Sequence, residues 1–111
     1  MTKPRSMPEW EHLDTIRERA CQRILGVAPL HEIHFVPISD KEIEVYVFYE
    51  SDADVRRCDK EGLTGKVEKI FREELSQVGR GAESGVRIRF EFDSHENVMN
   101  NFEGSYFLRL R

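Results

Sequence analysis

The most constraining feature of the chain is a run of alternating side chains between residues 42 and 50. Successive side chains of a β-strand point to opposite faces, so an apolar residue at every second position predicts a strand with one buried face. The apolar set comprises Ile43, Val45, Val47 and Tyr49, and the other set comprises Glu44, Tyr46, Phe48 and Glu50. A chain with this run needs a second layer to cover the apolar face.

Three further segments predict strands. Residues 31 to 38 precede the alternating run and are joined to it by the short polar turn Ser39-Asp40-Lys41. Residues 86 to 92 alternate strictly, with apolar side chains at every second position and charged ones between them. Residues 106 to 110 predict a last strand, so the sequence indicates four strands in all.

The first covering element is a helix near the start of the chain. Apolar residues recur at steps of three and four between Trp10 and Ile24, which describes one buried stripe. Ser6 can cap this helix and Gly26 ends it. Residues 1 to 5 then form a loose tail, and residues 6 to 111 form a single α+β domain.

A second helical region runs from residue 53 to Val78. Gly62 and Gly65 weaken a helix, so the region is either one helix or two, with Thr64 capping the longer second piece if the helix breaks. Residues 94 to 102 predict a short third helix before the last strand.

The predicted order is therefore α-β-β-α-β-(short α)-β. Four mostly alternating strands and two main helices fit an α+β two-layer sandwich, with an antiparallel-rich sheet and both helices on one face. This order resembles a ferredoxin-like plait in which the first strand has moved to the end of the chain. The resemblance implies a fold, and a fold alone does not imply a function.

Charge and cysteine content narrow the classes of function. The formal net charge is −4, which argues against binding nucleic acid mainly through phosphates. Two cysteines, Cys21 and Cys58, are too few for a disulfide-dense scaffold, and Cys58 beside Arg57 is better explained as a core residue than as a reactive thiol. No run of about 18 apolar residues occurs, so we predict a cytoplasmic protein without a membrane segment.

The alternate positions of the strands predict one face rich in aromatic and arginine side chains. This composition is typical of protein interfaces. A stacking surface for single-stranded RNA or DNA would use the same residue types. Alternatively, acids between the arginines would form ion pairs and leave a merely solvated face. The predicted binding face comprises His34, Tyr46, Phe48, Arg87, Arg89, Phe107 and Arg109.

Two short motifs could carry chemistry. Asp93, Ser94, His95 and Glu96 include a possible acid and base, yet Asp93 or Ser94 as a helix cap with Glu96 explains all of them except His95. His31 and His34 lie three apart, and on a regular strand they point to opposite faces, so a shared metal ion would require a β-bulge. We predict no metal and no cofactor.

The sequence favours a non-catalytic protein-interaction module, such as an adaptor, an immunity-type inhibitor or a chaperone-like subunit. Its partner is another protein or a second copy of the chain, so a homodimer is plausible. The alternatives are binding of single-stranded RNA or DNA on the same face, and a small enzyme centred on Asp93, His95 and Glu96. No Walker loop, dinucleotide-binding glycine pattern or nucleophile elbow occurs, so the common enzyme classes that use them are excluded.

Overall fold

The computed structural model describes residues 12–81 and 84–111. The predicted tail and the predicted helix start at Ser6 lie outside the described residues. The secondary structure elements in the described part are α1 (Leu13–Leu25), β1 (Leu30–Ser39), β2 (Glu42–Tyr49), α2 (Asp52–Lys60), α3 (Leu63–Gln77), β3 (Arg87–Ser94), α4 (His95–Asn101) and α5 (Tyr106–Arg109).

The sheet has three strands in the order β1-β2-β3, with β1 antiparallel to β2 and β2 parallel to β3. The predicted four-stranded, antiparallel-rich sheet is therefore wrong, and so is the permuted ferredoxin-like plait, although the α+β class is correct. The reason lies in the connection between β2 and β3. Helices α2 and α3 together carry the chain back along the sheet, and such a long helical connection joins parallel neighbours.

The predicted last strand is the short helix α5. Ser105 caps it, because its Oγ accepts a hydrogen bond from the backbone N–H of Leu108 at 3.2 Å. A turn at Glu103 and Gly104, both with positive φ, joins it to α4. A mostly apolar run of five residues fits a short helix as well as a strand, so the local pattern could not distinguish them.

The break in the second helical region falls between α2 and α3. Gly62 adopts a φ of 78° and is the residue that precedes α3, a conformation that favours glycine over other residues. Thr64 lies inside the first turn of α3, so the prediction that Thr64 caps this helix is wrong. Ser51 caps α2 through a complete capping box with Asp54.

The main hydrophobic core lies between the sheet and helices α1, α2 and α3. We call this side of the sheet the helix face and the opposite side the outer face. Side chains from all three strands and all three helices meet in this core, including Ile24, Ile33, Val45, Val47, Cys58, Phe71, Leu75 and Ile88. Phe48 and Val98 are also fully buried but lie outside this cluster.

Within residues 12–81 and 84–111, no helix combines the length and the hydropathy that crossing a membrane requires.

Candidate functional site

The outer face differs from its predicted form because the end of the chain folds onto it. We call residues 95–109, which contain α4 and α5, the C-terminal segment. Phe48 was expected to be exposed, yet it is fully buried, and the ring of Tyr106 meets it edge-on with a centroid distance of 4.8 Å. The expectation that Phe48 is exposed is therefore wrong, because α5 occupies the space in front of it.

Arg109 fixes α5 to the sheet through both aromatic and ionic contacts. Its guanidinium carbon lies 5.8 Å from the ring centroid of Tyr46 and 5.9 Å from that of Phe48. The same group donates hydrogen bonds to Asp93 at 2.5 Å and to Glu91 at 2.6 Å. Arg109 thus interacts with β2 and β3 together, and its side chain is only 15% exposed.

The other arginines of the predicted face also have acidic partners. Arg87 lies 3.3 Å from Glu42, and Arg89 lies 3.6 Å from Glu44, so neighbouring strands neutralise each other. Phe107 remains 74% exposed and lies beneath the guanidinium of Arg111. The face therefore presents paired charges at one end and a covered aromatic cluster at the other.

The stretch from Asp93 to Glu96 acts mainly as a junction between elements. Ser94 is the cap of α4, since its Oγ accepts the N–H of Asn97 at 2.9 Å, and it also donates to the carboxylate of Asp52. Glu96 accepts the N–H of Asp52 at 2.8 Å and so satisfies the start of α2. Asp93 accepts from Asn97 and Arg109, and within the described residues no side-chain hydrogen bond joins any two of Asp93, His95 and Glu96.

A β-bulge brings two histidines of β1 to the same side. Leu30 pairs with Tyr49 and Glu32 pairs with Phe48, which leaves His31 as an extra residue in β1. The ring of His31 stacks on His95, with centroids 3.8 Å apart. The ring of His34 stacks on Tyr106 at 5.0 Å.

His95 and Tyr106 connect the two stacks. The Nδ1 of His95 and the hydroxyl of Tyr106 are hydrogen-bonded at 2.7 Å, and their rings are nearly parallel at 5.9 Å. We call His31, His34, His95 and Tyr106 the histidine cluster. It lies where the C-terminal segment meets β1.

Two carboxylates border the histidine cluster. The Nδ1 of His31 lies 2.8 Å from a carboxylate oxygen of Glu50, and the Nε2 of His34 is hydrogen-bonded to Glu32. Burial, together with the negative charges of Glu32, Glu50 and Asp93, raises the pKa of Tyr106 to about 12. Tyr106 is therefore a neutral hydrogen-bonding group at neutral pH and not a ready nucleophile or base.

In the described part of the chain, no group of three or more His, Cys, Asp or Glu side chains is placed to hold a metal ion. Although the bulge puts His31 and His34 on one side, each histidine ring stacks on a ring of the C-terminal segment. The arrangement builds a column of rings and not a coordination sphere.

A cleft of about 570 Å³ runs along β1 beside α1. Because β1 is at the edge of the sheet, the cleft gives solvent access to its backbone. The side chains around the cleft are mostly polar, and burial raises the pKa of the Cys21 thiol, which keeps it protonated at neutral pH. The cleft is lined by Arg17, Glu18, Cys21, Gln22, His31, Glu32, Ile33 and His34.

Sequence reasoning missed several residues of this region. Tyr106 was assigned to a strand, and Glu32 and Glu50 were given no partner in the histidine cluster. A β-bulge at His31 would have indicated that these residues lie close together. From the sequence, a bulge was considered only as a requirement for metal binding. Arg17 and Gln22 of α1 also line the cleft, and nothing in the helical pattern related them to β1.

No protein-family model, curated protein or solved structure is detectably similar to this chain.

Proposed function

We propose that the chain is a non-catalytic protein-interaction module that self-associates by joining β1 of one copy to β1 of a second copy. The observation that carries this proposal is the position of β1 at the edge of the sheet. Within the described residues, the backbone between residues 31 and 38 makes no hydrogen bond to any element other than β2. An edge strand of this kind presents unpaired N–H and C=O groups that another strand can pair with.

The cleft beside β1 supports the proposal because it leaves room for an added strand. Neighbouring strands lie about 4.8 Å apart, so a strand joined to β1 would lie in the space between β1 and the exposed side of α1. Arg17 and Glu18 of α1 would then flank it with charges of both signs. A mixed lining suits a second copy of the chain, because its β1 carries both acidic and basic groups in Glu32 and His34.

The residues of β1 are self-complementary about His34. Pairing between β1 and β2 is regular from Glu32 to Pro37, with irregularities on both sides. If two copies of β1 pair antiparallel about a twofold axis at His34, Ile33 of each copy faces Phe35 of the other on the helix face. Apolar cross-strand pairs of this type stabilise sheets.

The bulge at His31 and the proline at position 37 restrict the joined region to a few residues. Bulges and prolines are features with which proteins limit pairing at sheet edges. We therefore expect a reversible dimer whose population depends on protein concentration, not a permanent one.

Light scattering across a concentration range tests the proposal, together with mass spectrometry of co-purifying molecules. We expect dimers to accumulate between about 10 µM and about 500 µM, because short interfaces bind weakly. Val36→Lys adds a charge to the edge strand and should shift the monomer–dimer midpoint upward by about tenfold or more. Val27→Lys is the matched control, because Val27 is 39% exposed and lies outside every strand, and it should leave the midpoint unchanged.

A strictly monomeric protein at every concentration would overturn self-association through β1. A monomer that co-purifies with RNA or DNA, and whose binding weakens with salt, would support the nucleic-acid alternative instead. A monomer that holds a small molecule and loses it in a His95→Ala variant would support the enzyme alternative.

A further inference from the structure

Three of the four histidines in the chain meet in the histidine cluster. Histidine is the side chain whose ordinary pKa, about 6.5, brings its charge change closest to neutral pH. The rings of His31 and His95 are nearly parallel, with an interplanar angle of 21° and a centroid distance of 3.8 Å. When both rings carry a proton, this stack brings two positive charges together.

Two carboxylates are hydrogen-bonded to histidines of the cluster, and the third histidine has none. His31 has Glu50 as its partner, and His34 has Glu32. His95 makes its hydrogen bond to the hydroxyl of Tyr106 and contacts no carboxylate in residues 12–81 and 84–111. A third proton on His95 therefore has no carboxylate of its own and faces the charged ring of His31.

Several other charged groups near the cluster are bound elsewhere. On β3, Asp93 and Glu91 pair with Arg109, and Glu96 accepts the backbone N–H of Asp52. Asp93 and the two histidine-bound carboxylates also act electrostatically on Tyr106, which stays neutral up to high pH. The titratable and charged groups that face His95 or its stacked neighbours are Glu32, Glu50, Asp93, Tyr106, Arg109, His31 and His34, together with Arg17, Glu18 and Cys21 of α1, which line the cleft beside His31 and His34.

The histidine cluster joins the C-terminal segment to the sheet. His95 and Tyr106 belong to the segment, whereas His31 and His34 belong to β1. Beneath Tyr106 lies Phe48, which is fully buried. If the two stacks separate, the segment loses its ring contacts with β1 and the cover over Phe48 opens.

We propose that the histidine cluster is an acid-operated clasp: when all three of its histidines are protonated, the C-terminal segment leaves the outer face and uncovers Phe48. The docked segment holds the ring of His95 against the ring of His31, whereas the released segment leaves it surrounded by water, so positive charge on both rings favours release. The sign of the effect follows from this difference, because the state that binds more protons is favoured as the pH falls.

The clasp does not require strand pairing at β1, although His34 belongs to both sites. Its parts lie within one chain, and the monomer and the dimer both contain them. Measuring a dilute sample, in which the chain is monomeric, therefore separates a failure of the clasp from a failure of self-association. A chain that never dimerises can still show an acid-operated clasp.

Hydrogen exchange measured by mass spectrometry tests the clasp when rates are corrected for the intrinsic effect of pH. Between about pH 7.5 and about pH 5.5, we expect protection of residues 95–109 to fall by about tenfold or more while the helix face keeps its protection. His95→Gln should remove this pH dependence, because glutamine can still hydrogen-bond Tyr106 but takes up no proton. His12→Gln is the matched control, since His12 lies at the start of α1 outside the cluster, and it should keep the wild-type response.

His31→Gln provides a second test that does not alter the C-terminal segment. It removes the charged ring that opposes the proton on His95, so the fall in protection should again be lost. The proposal is overturned if protection of the segment is the same at both pH values, if it falls together with that of α1 and α3, or if His95→Gln and His31→Gln both respond as the wild type does.

Discussion

The two faces of the sheet are covered by different kinds of contact. On the helix face, three helices bury side chains that are almost entirely apolar, such as Val47, Phe71 and Leu75. On the outer face, one short segment covers Phe48 with a tyrosine ring, an arginine and a column of histidines. Apolar burial does not depend on protonation, whereas ion pairs and imidazole stacks do. One cover is thus an apolar core, and the other is built from groups that carry or can gain charge.

The largest loss of stability should come from creating a cavity in the core under the helix face. Phe71 is fully buried and contacts the rings of Phe35 and Phe90. Phe71→Ala should lower the free energy of unfolding by about 3 to 5 kcal/mol, because it removes buried apolar surface and leaves a cavity. Chemical denaturation monitored by circular dichroism measures this loss.

Phe107→Ala is the matched control, since Phe107 is 74% exposed. It should change the free energy of unfolding by less than about 0.5 kcal/mol. Equal losses in the two variants would contradict the view that the helix face holds the main core.

The residues of the helix face were largely predictable because they recur periodically in the sequence. The alternation from Ile43 to Tyr49 identified the buried side of β2, and the steps of three and four in α1 identified residues that cover it. Both patterns arise from backbone geometry alone, so they are readable without knowledge of distant contacts. The direction of β3 was not readable, because alternation is the same in parallel and antiparallel strands.

The outer face was much less predictable because its parts are distant in sequence. The stack of His31 on His95 joins β1 to a helix more than 60 residues later along the chain, and no period relates the two. The alternation in residues 106 to 110 was compatible with two structures, and tertiary contact with Phe48 accompanies the helical one. What the sequence did identify was the type of residue on this face, including Tyr46, Phe48 and Arg109.

Two arginines, one on each face of the sheet, allow the two covers to be compared through a loss of stability of intermediate size. Arg109 and Arg23 each bind two carboxylates, but the side chain of Arg109 is 15% exposed and that of Arg23 is 41% exposed. Arg109→Ala should lower the free energy that holds the C-terminal segment closed by about 2 kcal/mol, since it leaves the half-buried Asp93 without its cation. Arg23→Ala should lower the global free energy of unfolding by a similar amount, about 2 kcal/mol, because it leaves Glu74, whose side chain is 6% exposed, without its cation.

Native-state hydrogen exchange distinguishes the two results. Arg109→Ala should deprotect residues 95–109 and leave α1 and α3 protected, whereas Arg23→Ala should affect the helices that Arg23 and Glu74 connect. Uniform deprotection of the whole chain by Arg109→Ala would show that the two covers unfold together and would remove the distinction between them.

The smallest change in the free energy of unfolding should come from removing a tyrosine hydroxyl. Its sign should be opposite on the two faces of the sheet. The hydroxyl of Tyr49 is buried in the helix face near Thr64 and Cys58, but within the described part of the chain it forms no well-oriented hydrogen bond. Tyr49→Phe should therefore raise the free energy of unfolding at neutral pH by up to about 1 kcal/mol. The hydroxyl of Tyr106 is bonded to His95, so Tyr106→Phe should lower it by about 1 kcal/mol.

Stability at high pH provides a second test of Tyr49 and Tyr106. Burial raises the pKa of both Tyr49 and Tyr106 to about 12, from an ordinary value of about 10. A raised pKa contributes stability that is complete below about pH 10 and is lost as the pH rises through about 12, because the unfolded chain ionises first. The wild type should therefore lose stability across this interval, and each Phe variant should lose less. Denaturation curves at neutral pH and in this interval measure both effects, and destabilisation by Tyr49→Phe equal to that by Tyr106→Phe would mean that the two hydroxyls have the same environment.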